Sequence, residues 1–274
     1  MVDTNLIRYE AHDKVGYITL NRPDKLNAIT EGMKELLIQR FRQADADPST
    51  SVIVLRGEGR SFCAGHDIGN DDEDEDDGDT RDALGWFRHL DGSVRSEIAP
   101  WDAMKPVIAS VQGHAVGGGC QLMLFCDLVI AADNAKFGEP EVRFSNTGPA
   151  FVMPWIIGWR RARELIYFGD QITAEMALDY GMINKIVPLD TLEEETKRYA
   201  NRLALISPEA LTATKRALKR GAETAGFRNA INAGHDVVSA LYAAETDVNR
   251  EFFEITERDG LRAALKWRSA QFKT

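Results

Sequence analysis

Three short segments carry the residue types that chemistry at a carbonyl group would need. The first, residues 60–69 (RSFCAGHDIG), follows an apolar run and a Gly-x-Gly turn. Glycines at the exit of a buried strand let backbone N–H groups point into a cleft, so this loop can offer a donor to a developing oxyanion; read as structure alone, it is a tight turn ahead of an acidic run. The second, residues 111–121 (VQGHAVGGGCQ), leaves a strand and opens a helix. Free N–H groups in a first helical turn favour negative charge. Consecutive glycines in a helix cost about 1 kcal/mol each, so close approach of a partner is the better reason for Gly117, Gly118 and Gly119. The segment lacks the Gly-Lys-Ser/Thr ending of a phosphate loop and the Gly-x-Gly-x-x-Gly dinucleotide fingerprint. The third, residues 137–144 (FGEPEVRF), sets Glu139 and Glu141 on either side of Pro140. A carboxylate fixed by proline beside a glycine-lined cleft suits a general base. For Glu139 the preferred reading is surface charge.

The elements that must position these segments are legible from periodicity. Strands are expected at residues 14–20, 51–56, 107–111 and 127–131, each short, β-rich and bounded by turn residues. Met33, Leu36, Leu37 and Phe41 recur at helical spacing over residues 30–44, with Thr30 as the cap. Trp86, Leu90, Val94 and Ile98 fall four apart and predict an amphipathic helix to about residue 99, with Asp91-Gly92 inside it. A helix opens at the triple glycine and runs through 118–126. Beyond residue 159 the chain reads as helices at 160–168, 173–180, 192–206, 208–220 and 227–257, with a brief strand or link at 184–188. Strands joined by long crossovers favour parallel connections, hence an α/β fold.

Composition narrows the function. The 274 residues carry a formal charge of −10, but residues 70–79 (NDDEDEDDGD) hold eight acids and no base, leaving −2 for the rest. A basic footprint for nucleic acid is missing, and 44% hydrophobic content excludes a disordered chain. Cys63, Cys120 and Cys126 are too few for a disulfide scaffold, and no metal-ligand spacing occurs. The N-terminus has no apolar leader core and no stretch is long enough to span a membrane, so a cytoplasmic protein with no membrane partner is expected. The acidic run resists compact folding by self-repulsion and matches no EF-hand spacing.

Together the three segments resemble the crotonase superfamily, the enoyl-CoA hydratase/isomerase family. Residues 20–28 (LNRPDKLNA), 172–177 (ITAEMA), 181–187 (GMINKIV) and the helix opening at Ser207-Pro208-Glu209-Ala210 agree with it, and the likeness spans roughly residues 5–272. The resemblance implies an α/β fold: a repeated ββα superhelix with a C-terminal helical trimerisation region. Residues 1–200 would form the spiral core with the acyl-CoA site, and 201–274 the helical part for assembly and pocket closure. It implies acyl-CoA thioester substrates, a homotrimer or dimer of trimers, and no tightly bound cofactor, coenzyme A arriving as part of the substrate. The backbone N–H groups of His66 and Gly118 match the oxyanion hole. Lys25, Leu26, Ala64, Gly65 and His66 match CoA contacts, while the basic residues Lys266, Arg268 and Lys273 could meet phosphates.

The catalytic carboxylates depart from the hydratase pattern of two glutamates. Glu141 matches the second, but Gln121 stands where the first belongs, and an amide orients water without taking its proton. A double-bond isomerase needs one carboxyl to take the α-proton and return it at the γ-carbon, so isomerisation by Glu141 is preferred. The alternatives are a hydratase of altered mechanism, another crotonase-type hydrolase or lyase, or an acyl-CoA-binding homologue without activity. The His66 imidazole is expected to shape the pocket rather than to carry protons. His89 and His114 are further candidates, and His114 is expected beneath the cleft. Phe151, Met153, Pro154 and Trp155 suggest a reshaped acyl pocket or core packing.

Overall fold

The computed structural model describes residues 3–68, 82–244 and 246–272. The acidic run at 70–79 and Lys273 lie outside the described residues. In chain order the first elements are β1 (Ile7–His12), β2 (Val15–Leu20), α1 (Glu31–Ala46), β3 (Val52–Gly57), α2 (Ala83–Glu97) and α3 (Ala99–Asp102). There follow β4 (Val107–Val111), β5 (His114–Val116), α4 (Gly118–Leu124), β6 (Leu128–Ala132), β7 (Lys136–Gly138), α5 (Met153–Ile157) and α6 (Trp159–Phe168). The C-terminal part holds β8 (Ile172–Thr173), α7 (Ala174–Asp179), β9 (Lys185–Val187), α8 (Leu192–Leu203), α9 (Pro208–Thr224), α10 (Phe227–Tyr242), α11 (Asp247–Asp259) and α12 (Leu261–Ala270).

The strands form two sheets, one of order β1-β2-β3-β4-β6-β9 and one of order β5-β7-β8. In the large sheet only β1 and β2 pair antiparallel; β2, β3, β4, β6 and β9 run parallel. Twice the chain lays one strand in the large sheet and the next in the small one, then a helix: β4, β5 and α4 are one such turn, and β6, β7 and α5 the next. Residues 52–55 of β3 and 107–109 of β4 are continuous apolar runs, since a parallel strand covered on both faces has no solvent side. Met33, Leu37 and Phe41 of α1 pack with Ile53, Leu55, Val107 and Ala109 in the main core.

Several expected elements occur with small shifts in their ends. Thr30, Thr173 and Ser207 cap α1, α7 and α9 by accepting from the N–H of Met33, Met176 and Ala210. Gly92 does not break α2, which runs from Ala83 to Glu97. The helix expected over 227–257 is instead broken: α10 ends at Tyr242, Thr246 caps α11, and Gly260, at φ +86, separates α11 from α12. Amphipathic periodicity persisted across a change of helix direction.

One buried charge ties the C-terminal helices to the sheet. Lys215 of α9 donates to Pro100 O at 2.8 Å, Lys105 O at 3.1 Å and Asp127 Oδ2 at 2.7 Å, and Asp127 also accepts from the Val107 N–H. Removing Lys215 strands the Asp127 charge and two carbonyls. Lys215→Met is therefore expected to lower unfolding free energy by ~3 kcal/mol, measured by urea titration; an unchanged midpoint would contradict this role.

Candidate active site

The loop after β3 and the turn into α4 meet at one point. His66 forms a parallel bridge with Ile29 in which the flanking groups do the bonding: the Ile29 N–H donates to Gly65 O at 2.8 Å and the Asp67 N–H to Ile29 O at 2.9 Å. The N–H of His66 is thereby turned away from Ile29. Gly118 opens α4, where its N–H has no intrahelical acceptor. Gly65, at φ +97, lies directly over this turn, since a Cβ there would stand 3.4 Å from the Gly118 nitrogen and 3.0 Å from Val116 O. Gly117, at φ +57, brings the same turn against Glu141, whose Oε1 would lie 2.8 Å from a Cβ on it. Here glycine is required by conformation and by contact together.

Glu141 follows β7 in the short 3-10 helix Pro140–Phe144. Burial, with the charge of Glu97 adding to it and its own backbone N–H opposing, pushes its carboxyl up to about 7. Gln121 is fully buried, and its Nε2 donates to Glu139 Oε2 at 2.9 Å. Gly148 makes room for it, since a Cβ there would fall 1.7 Å from that nitrogen. The expectation that Glu139 is surface charge is corrected: it is 2% exposed. It follows β7, whose Phe137 and Gly138 are buried, and the Gln121 amide partly compensates its desolvation. Burial, then the charge of Glu141, holds its carboxyl well above the usual range.

Two further groups were not anticipated. Glu97, the last residue of α2, is fully buried, and its Oε1 lies 2.7 Å from His66 Nε2. A signal existed, since Glu97 sits three residues after Val94 and one before Ile98 on the apolar stripe. Burial pushes the Glu97 carboxyl well up and the His66 imidazole down to about 3. Tyr242 of α10 stacks obliquely on Trp86, 5.0 Å between ring centres. Its hydroxyl is raised by burial and by the charges of Glu141 and Glu97. Among the described residues eight buried side-chain polar atoms lack a partner. Five of them are His66 Nδ1, Glu97 Oε2, Gln121 Oε1, Glu139 Oε1 and Glu141 Oε2.

A cavity of about 850 Å³ leads to this turn. Lys25, Leu26, Ala64 and His66, four of the residues matched to CoA contacts, line it, as do His114 and Val116. Thr256, Leu261, Leu265 and Ser269 of α11 and α12 form its opposite wall. Lys266 does not reach the wall; it is exposed on α12. Arg268 is engaged internally, donating to Arg143 O and stacking on Phe272. His89 lies edge-on to Trp86 and 3.4 Å from Glu31. Among the described residues no three His, Cys, Asp or Glu side chains converge as a metal-binding set, and no helix is long and apolar enough to cross a membrane.

A glycine turn set against Glu141 and Glu97, both with carboxyls of raised pKa, is a candidate site for acid–base chemistry. Residues 10–255 match the enoyl-CoA hydratase/isomerase family, and the chain belongs to that family of enzymes. It is 35% identical to an enoyl-CoA hydratase/isomerase from Xanthobacter autotrophicus Py2, with 98% of each chain covered and a TM-score of 0.92. A probable enoyl-CoA hydratase from Mycobacterium thermoresistibile is 33% identical over 86% of this chain and 96% of its own, at TM-score 0.79. An enoyl-CoA hydratase from Mycobacterium smegmatis is 27% identical over 99% and 96%, at 0.88. The fold is thus the crotonase ββα superhelix followed by C-terminal helices.

Proposed function

We propose that the protein moves a proton at the carbon beside the thioester carbonyl of an acyl-CoA, and that its overall reaction is migration of a double bond between the 3 and 2 positions. The observation that carries this reading is the Glu141 carboxyl, pushed up to about 7 and set against the Gly117–Gly118 turn. A base near neutrality holds both the proton-free and the proton-bearing form in useful amounts, as one group that takes and returns a proton requires. The N–H groups of His66 and Gly118 stabilise the enolate oxygen, each contributing about 3 kcal/mol. Lys25, Leu26, Ala64 and His66 hold the CoA moiety along the cavity wall, with Gly65 between the last two.

A second reading is hydration. It is favoured by Glu139, which places a carboxyl one hydrogen bond from Gln121 and so beside the position where the motif lacks one. The same proposal includes assembly as a homotrimer or a dimer of trimers, with residues 201–274 closing the pocket. The helix α11 and α12 residues in the cavity wall support the closing role. The exposed Trp155, Ile156, Trp159, Tyr167 and Phe168 on α5 and α6 supply apolar surface of the kind an oligomer covers.

The test is incubation with 3-enoyl-, 2-enoyl- and 3-hydroxyacyl-CoA in deuterated water. Interconversion of the two enoyl thioesters with deuterium entering the α-carbon is expected. Accumulation of 3-hydroxyacyl-CoA from the 2-enoyl substrate would select hydration instead. Tight CoA binding with neither turnover nor exchange would sink the proton-transfer reading.

A further inference from the structure

We propose that Glu97 is a positioning residue for the oxyanion hole, acting through the ring of His66; the inference rests on the thioester reading above. His66 contributes to the site twice, with its backbone N–H and with a ring that reaches across to Gly118. The Nε2–Cδ2 edge of the ring lies so close to Gly118 that a Cβ there would stand 2.6 and 2.7 Å from those atoms, and 2.8 Å from Glu97 Oε1. The bonded pair therefore occupies the space a side chain at 118 would fill. It touches the residue that supplies the second donor while being covalently attached to the first. That contact sets the fine spacing of the two N–H groups, where the backbone bridge from Cys63 to Ala115 already holds the loop and β5 together.

The surroundings indicate which part of this device is rigid. The loop is fixed on one side by the Ile29 bridge and by Arg22, which donates to Asp67. On the other side Cys63 bridges to Ala115 of β5, its N–H donating to His114 O at 2.9 Å and its O accepting from the Val116 N–H at 3.1 Å, and beyond that bridge the His66 ring meets Glu97 in a 2.7 Å hydrogen bond. Glu97 is fully buried at the C-terminal end of α2, which packs on α4, so it is anchored to the helix that carries Gly118. A fully buried carboxyl with one oxygen unpartnered is costly as mere packing. An apolar residue of similar size would serve packing better, which argues for a part in the site.

The probe is butyryl-CoA labelled with ¹³C at the thioester carbonyl, bound to the full chain and read by infrared difference spectroscopy alongside α-proton exchange. In the native protein the carbonyl band is expected at lower frequency than in free butyryl-CoA. Glu97→Ala and His66→Ala are expected to lose that displacement and to slow exchange 10- to 100-fold, with KM changed less than about threefold. Glu97→Gln, whose amide can accept from the ring through Oε1 or donate to it through Nε2, is expected to keep both. A displaced band persisting in both alanine variants would overturn the inference. Loss in Glu97→Gln as complete as in Glu97→Ala would overturn it too, by showing that the carboxyl proton itself is used. No displacement in the native protein would instead defeat the underlying thioester reading, and this inference with it.

Discussion

Glu141→Gln is expected to lower turnover of enoyl-CoA substrates by about 10³-fold while leaving CoA binding intact. The amide keeps the size and one oxygen of the carboxyl but cannot take a proton. The pH dependence follows from the same group. Glu141 must be ionised to accept the α-proton, and its carboxyl titrates at about 7. Native kcat/KM should therefore fall tenfold for each pH unit below about 7 and level off above it. Stability moves the other way. A carboxyl raised from 4.5 to about 7 in the folded state binds its proton more tightly folded than unfolded, so stability is lost as pH rises through that window. Glu141→Gln removes that loss, and the variant should be more stable than the native chain at pH 8, by on the order of 3 kcal/mol. A variant both inactive and more resistant to urea at pH 8 is the joint signature. An active Glu141→Gln variant, or an activity profile flat from pH 5 to 8, would remove Glu141 from the base role.

What the sequence disclosed and what it hid divide along a physical line. Apolar periodicity marked β2, β3, β4 and β6 and located α1 and α2, because each buries a face or a whole strand in one core. Turn chemistry marked the loop at His66 and the turn at Gly118, where glycines are needed for conformation and for close approach. Polar residues that are buried through pairing escaped, because pairing depends on contacts distant in sequence. Glu139 reads as a solvated acid beside a proline until Gln121, 18 positions away, is placed against it. Glu97 and His66 are 31 positions apart and meet because α2 ends against α4. Strands of two or three residues such as β5, β7 and β8 are too short to show a period of two, and they exist because the second sheet aligns them.

The Gln121–Glu139 pair supplies the second large effect, through a single exchange and its reversal. Gln121→Glu alone would set two carboxyl groups at the 2.9 Å spacing now held by an amide donor, in a fully buried place. Both cannot ionise there, so a shared proton is forced. The variant is expected to be ~2–3 kcal/mol less stable than the native chain at pH 8, where that proton is hardest to retain, and to recover as pH falls. Glu139→Gln added to it restores one amide and one carboxyl across the same contact, with the carboxyl now at 121. Stability at pH 8 should then return to near the native value. The double variant also stands where the hydratase pattern puts its first glutamate, with Glu141 unchanged as the second. It is expected to add water to 2-enoyl-CoA at least 10-fold faster than the native protein does, because a carboxylate at 121 can hold and deprotonate water where the amide only orients it. Urea midpoints at pH 6 and pH 8, with 3-hydroxyacyl-CoA formation followed by chromatography, measure both effects. If Gln121→Glu is as stable as the native chain at pH 8, the two side chains do not share a proton and the exchange has no basis. If the double variant recovers stability but gains no hydration, the carboxyl at 121 does not face the β-carbon, and the choice between the two reactions is made elsewhere in the pocket.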